Sequence, residues 1–189
     1  MRKKSHISLA RYMVDCIGDE GLKKHKFCFY LGSILPDIKP SFVYRRHEIN
    51  GTFSDIRRHI ARLSEGEKAR HKNGRKYYMD LGQISHYLAD YFTFPHNGCY
   101  EGSLKDHCNY EEKLKRDLRE FLKNKKHERV EETFKNAEAL CNYIQVMHDA
   151  YITRKHDVED DIWHIIEVNQ KALYGMLELL ARKRTECYA

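Results

Sequence analysis

Apolar residues recur at three- and four-residue steps along almost the whole chain, and no stretch shows a convincing alternation at period two. Ile7, Ala10, Met13, Val14 and Ile17 form the first such series, predicting a helix over 6–17 with Ser5 as its cap. Gly18 and Gly21 punctuate it. A second helix is predicted over 22–34, with Phe27, Tyr30, Leu31 and Ile34 as its apolar side. Pro36 and Pro40 break that helix, because each pushes the residue before it towards extended geometry. Asp37 lies between them on a stiffened loop that continues to His47. A third helix is predicted over 52–63, followed by a polar, basic connector over 64–76. The fourth, over 77–92, packs through Leu81, Ile84 and Leu88. The fifth starts near 104 and carries Leu114, Leu118, Phe121 and Leu122. A sixth is predicted from just after 128 to about 152, with Val130, Phe134, Ala137, Leu140, Cys141 and Ile144 inward, and a last one over 157–183 has Ile162, Ile165, Ile166, Leu173, Met176, Leu177 and Leu180 as its stripe. The expected fold is all-α: one domain over 1–189, a bundle of about six or seven helices.

Composition narrows the function classes. No run approaches the roughly 20 apolar residues that a membrane-spanning helix needs. The basic N-terminus is interrupted by Arg11 and Asp15 and lacks a small-residue cleavage site, so it reads as a mature amphipathic helix of a soluble, cytoplasmic protein. Six cysteines form no C-x-x-C pair and read as reduced, with Cys99 and Cys108 as bystanders near the candidate site. The net charge of +6 suits phosphate-bearing substrates or an anionic membrane surface, and suits solubility equally well. Twelve scattered histidines tilt the composition towards metal.

The chemistry concentrates in residues 82–111. His86 and Asp90 are four apart, His96 follows a Pro95 turn, and His107 and Glu111 are again four apart. Residues at that spacing share a helix face, so each pair can aim two donor atoms at one ion. Imidazole nitrogen and carboxylate oxygen are what zinc accepts. One such pair would mean little, but two pairs with a histidine at the turn between them predict a multinuclear metal site between helices. Adding residues at element ends and on the stiff loop gives eight candidates: His6, Asp37, His47, His86, Asp90, His96, His107 and Glu111. Eight are too many for one zinc and suit two or three. Other histidines carry blander readings. Asp55 and His59 form a surface pair on a charged face, and His25, His71, His127 and His164 are expected at the surface. The His148–Asp149 and His156–Asp157 dipeptides come too near the end of the chain to gather further ligands downstream. Phe42, Tyr44, Tyr87 and Tyr91 are candidate substrate contacts, with the core as their alternative place.

The segments SHISLARYMVD, YLGSILPDIKPSFVYRRHE, YMDLGQISHYLADYFTFPHN and DHCNYEE resemble, in the same chain order, the zinc-dependent phospholipase C family. More distantly they resemble the single-strand nucleases with a trinuclear zinc site. The resemblance implies one zinc held by Asp37, His47, His86 and Asp90, and a second by His96, His107 and Glu111. A third would take His6 and Asp90, with Asp90 bridging. It makes Asp37 the general base near a metal-bound water, acting on a phosphodiester substrate such as a phospholipid. A single-strand nuclease or soluble phosphodiesterase with the same cluster, or a non-catalytic metal-binding domain, stays open, and no stable nucleic-acid complex is expected. Secreted members complete the third site with the amine and carbonyl of a processed N-terminal residue. Here Met1 lies five residues before His6 with no leader read ahead of it, so the third site is expected to be short of that ligand.

Overall fold

Two glycines set the centre of the bundle. A computed structural model describes residues 1–38, 48–65, 74–124, 132–154 and 157–188. Among these residues the regular structure is entirely helical: α1 Lys3–Ile17, α2 Glu20–Lys24, α3 Lys26–Ile34, α4 Ile49–Glu65, α5 Gly74–Tyr91, α6 Leu104–Asn124, α7 Ala137–Ile152 and α8 Val158–Tyr188, with a short 3-10 turn at Phe94–His96. Where α3 crosses α5, a Cβ added at Gly32 would lie 2.0 Å from the Met79 carbonyl oxygen, and one added at Gly82 would lie 2.2 Å from that of Phe29. The two helices therefore meet backbone to backbone, which only glycine permits.

That approach turns α3 away from the expected register. Its inward residues are Phe29, Gly32 and Ser33. The predicted apolar side is largely outside: Phe27 is 73% and Leu31 48% exposed. Hydrophobic spacing identified a stripe but not which side of it would find a partner. The predicted second helix is also two helices. Asp19 caps α2 by accepting from the Leu22 amide at 2.6 Å and also accepts from the Tyr78 hydroxyl on α5, and the chain then turns at His25.

Other boundaries moved for local reasons. α1 begins at Lys3 with Arg2 in extended geometry as its N-cap, so Ser5 is a buried residue inside the helix rather than its cap. Gly18, with φ 71°, ends it in the left-handed region that glycine tolerates. α6 starts where expected, because Ser103 and Asp106 cap each other reciprocally: the Ser103 amide and hydroxyl reach the Asp106 carboxylate, and the Asp106 amide reaches the Ser103 hydroxyl. α7 starts only at Ala137, where Asn136 accepts from the Ala139 amide and the Ala137 amide reaches Glu65 at the end of α4. The stripe of α8 is as expected, with Ile165, Leu173 and Met176 fully buried. It packs against α4, α5, α6 and α7.

Gly82→Ala forces the Phe29 carbonyl and the α3 backbone to retreat. It is expected to lower unfolding stability by about 1–3 kcal/mol, as overpacking of a tight core does, read as a reduced urea midpoint. An unchanged midpoint would mean that α3 can shift without cost.

Candidate metal centre

His6 on α1 reaches α5 beside the crossing of α3. His86 and Asp90 are one turn apart on α5, both fully buried, and His6 is buried with them. The His86 Nδ1 donates to the Ser33 carbonyl of α3 at 2.9 Å, which fixes the ring and leaves Nε2 facing the site. The His6 and His86 rings stack with centroids 3.9 Å apart and planes within 18°. Both Nε2 atoms converge on Asp90: His86 lies 3.1 Å from Oδ2 and His6 3.3 Å from Oδ1. The resemblance divides His6 and His86 between different ions, whereas here they share one cluster, with ligand atoms within 4.8 Å of one another. Asp37 stands at its edge, with Oδ1 3.6 Å from His86 Nε2.

A second cluster adjoins it. His96 on the 3-10 turn and His107 on α6 approach Glu111 Oε1 at 3.2 and 3.4 Å, and the His96 Nδ1 lies 3.7 Å from Asp90 Oδ2. Between the clusters lies the Met1 amine, 2.8 Å from Asp90 Oδ1, 2.8 Å from His96 Nε2 and 3.1 Å from Glu111 Oε1. The position expected to be short of an N-terminal group has the Met1 amine within contact distance. The first cluster is sealed, with His6 1% exposed, while the second opens to solvent, with His107 29% exposed.

Charge sorts itself accordingly. Burial pushes the Asp90 carboxyl up, but the Met1 amine and His96, His86 and His6 together hold it well below its ordinary range. Glu111 is likewise pushed up by burial, yet the His96 hydrogen bond and the amine bring it below the usual carboxylate range. Burial pulls the amine down, and Asp90 and Glu111 more than offset this, so it stays protonated to a higher pH than usual. Burial, then His86, pushes His6 down to about 3, and burial, then the amine, lowers His96. Ionised carboxylates and neutral imidazoles are the forms that bind a metal.

The turn carrying His96 is braced from behind by residues the spacing gave no reason to select. Asp161 on α8, fully buried, accepts from the Phe94 amide at 2.9 Å, the Tyr110 hydroxyl at 2.9 Å and the Tyr151 hydroxyl at 2.6 Å. One carboxylate thus joins the His96 turn, the helix bearing Glu111, α7 and α8. Asn97 donates to the Tyr91 and Thr93 carbonyls, and its own carbonyl accepts from His148 Nε2 at 2.8 Å. His148 and His164 both pack on Phe92. The surface expectation for His164 is therefore corrected: it is 1% exposed, because α8 turns it onto that ring. His59 is exposed, as expected. Tyr87 is half-buried with its ring against His86. Tyr91 is fully buried with its hydroxyl on Thr52, so it has a core residue's place rather than a substrate contact's. His47, Phe42 and Tyr44 lie outside the described residues.

The donor set fits zinc on an independent observation. Among the described residues Nδ1 of buried His6 has no hydrogen-bond partner, and Nε2 meets Asp90 only at 3.3 Å without hydrogen-bond geometry, a costly arrangement that a metal ion resolves. Fold and site together define an all-α protein whose separate helices converge His and carboxylate side chains on two adjoining clusters that could each hold a metal ion. Residues 5–158 of the 189 match the family described as zinc dependent phospholipase C, and the chain belongs to that family. No curated protein and no solved structure matches it.

Two outcomes are expected. Because the Met1 amine is held protonated, its recruitment as a ligand releases about one proton on zinc uptake near neutral pH, read by calorimetry in buffers of different ionisation enthalpy. An extension ahead of Met1, which makes the amine an amide, abolishes that release. Asp161→Asn places an amide donor among three donors and is expected to weaken zinc at His96, His107 and Glu111 about 10–100-fold. Competition with a chromogenic chelator reads the change; unaltered affinity would leave Asp161 a purely structural tie.

Proposed function

We propose that the protein hydrolyses phosphodiesters at a zinc centre of two or three ions, with a phospholipid headgroup ester as its substrate class. The observation that carries this reading is the shared Asp90, which adjoins a sealed cluster on one side and a solvent-facing cluster on the other. His6, His86 and Asp90 would hold one ion, and His96, His107 and Glu111 a second. Asp90 and the Met1 amine stand between them. His47 belongs to the proposed ligand set through the resemblance alone. Zinc, when bound, supplies an activated water and neutralises charge building on phosphoryl oxygens.

The chain's own residues do the rest. The fixed His86 ring and the pre-ionised Asp90 hold the donor atoms in place without reorganisation. Asp37, at the edge of the first cluster, is the group we assign to accept the proton of the attacking water. Tyr87, beside His86 and half-buried, is the aromatic placed to line the substrate's approach. Phe42 and Tyr44 join that proposal by sequence proximity.

Purified protein is expected to carry at least two zinc ions and to turn over bis(p-nitrophenyl) phosphate. A chelator should abolish this activity and added zinc restore it. Asp37→Asn should lower kcat about 10²–10⁴-fold, the range of general-base contributions, with zinc content retained. Unchanged kcat with metal still bound removes Asp37 from the role. Zinc without turnover of any diester would make the centre structural.

A further inference from the structure

The side of α3 that its spacing marks for packing is only partly covered: Tyr30 packs on the core, while Phe27 and Leu31 stand at the surface. Phe27 and Leu31 are 73% and 48% exposed and four residues apart, so they share one face of the helix. The turn continues past the helix through the Ile38 amide on the Leu35 carbonyl, and Ile38 is 53% exposed. Ile38 directly follows Asp37, which lies 3.6 Å from His86. Leu104, 80% exposed, stands one turn ahead of His107, on the open side of the second cluster. Large exposed apolar side chains thus sit on both segments that border the metal centre, where isolated ones would need no explanation.

Charge indicates the occupant. Lys24 and Lys26 are exposed where the stripe begins, with the Lys26 ammonium 5.5 Å from the centre of the Phe27 ring. Lys23 beside them is paired with Glu20 at 2.9 Å. Lys24 and Lys26 thus give this end of α3 a positive charge that favours a negatively charged surface. A protein partner or second copy could match the apolar residues. A cationic end beside an apolar stripe that leads to a phosphodiester-directed site matches a bilayer, with phosphates at the surface and acyl chains beneath.

We propose that the exposed side of α3, from Lys24 to Ile38, docks the protein on an anionic phospholipid bilayer, inserting Phe27, Leu31 and Ile38 while the lysines meet the headgroups. The orientation presents the Asp37 edge of the centre to the lipid phosphates. The proposal rests on the phosphodiesterase reading for its purpose, but not for its measurement.

The test is sedimentation with phosphatidylcholine vesicles containing phosphatidylglycerol, run beside turnover of bis(p-nitrophenyl) phosphate. The double variants Phe27→Ser/Leu31→Ser and Lys24→Glu/Lys26→Glu change exposed side chains and should keep helicity by circular dichroism. Each is expected to reduce vesicle association about ten-fold or more, leaving turnover of the free diester at the wild-type rate. Wild-type protein that ignores the vesicles, or variants that bind as wild type does, overturns the docking face. So does a dimer-to-monomer shift in light scattering caused by Phe27→Ser/Leu31→Ser, which would assign the stripe to a second copy. Face-dependent vesicle binding without any diester turnover sinks the enzymatic reading and leaves the docking surface standing.

Discussion

A carboxylate with no access to water has to be answered by its neighbours, and Asp90 is such a group. Its two oxygens are met by the Met1 amine, by His6 from α1, by His86 one turn back on its own helix and by His96 from the following turn. An ionised carboxylate buried without those partners would be too costly to keep. Every element that reaches it is therefore constrained in position, and the constraint propagates outward. α1 must lie against α5, the His96 turn must fold back, and α6 must follow so that Glu111 can balance the same amine. The bundle is a means of delivering cations and imidazoles to one point.

The backbone contact at Gly32 and Gly82 serves the same end by a different force. Close approach of α3 to α5 brings the Ser33 carbonyl to the His86 ring and sets Asp37 at the edge of the cluster. Bulkier residues there would raise α3 off α5 and release both. The helix leaves Phe27 and Leu31 at the surface in return, since the face that meets α5 is the one carrying Gly32. Packing geometry overrode hydrophobic patterning at this helix.

What could be read from the chain alone follows from whether the determinant is local. Helix period, the start of α6 near Leu104, and the i,i+4 pairs His86–Asp90 and His107–Glu111 are local signals, and the structure keeps them as read. The inversion of α3 and the burial of His164 on Phe92 depend on what packs against each helix, which spacing does not encode. Asp161 is the plainest case. It lies in an acid-rich first turn of α8 that looks like helix-dipole decoration, and only the tertiary structure brings it to the Phe94 amide. The spacing of Met1 from His6 gave no sign that its amine would reach the site, since where that end of α1 lies depends on what α1 packs against.

The two clusters differ in how far along the chain their members lie, and this gives the centre an order of assembly. His96, His107 and Glu111 fall within a short stretch and can meet once one turn and the start of α6 have formed. His6 must find His86 and Asp90 across about eighty residues, a closure whose entropy is unfavourable until α1 has docked. A chain collapsing in the presence of metal would therefore fill its local, open cluster first. The sealed cluster would follow, making α1 the late-arriving wall that turns a surface metal-binding patch into an interior one.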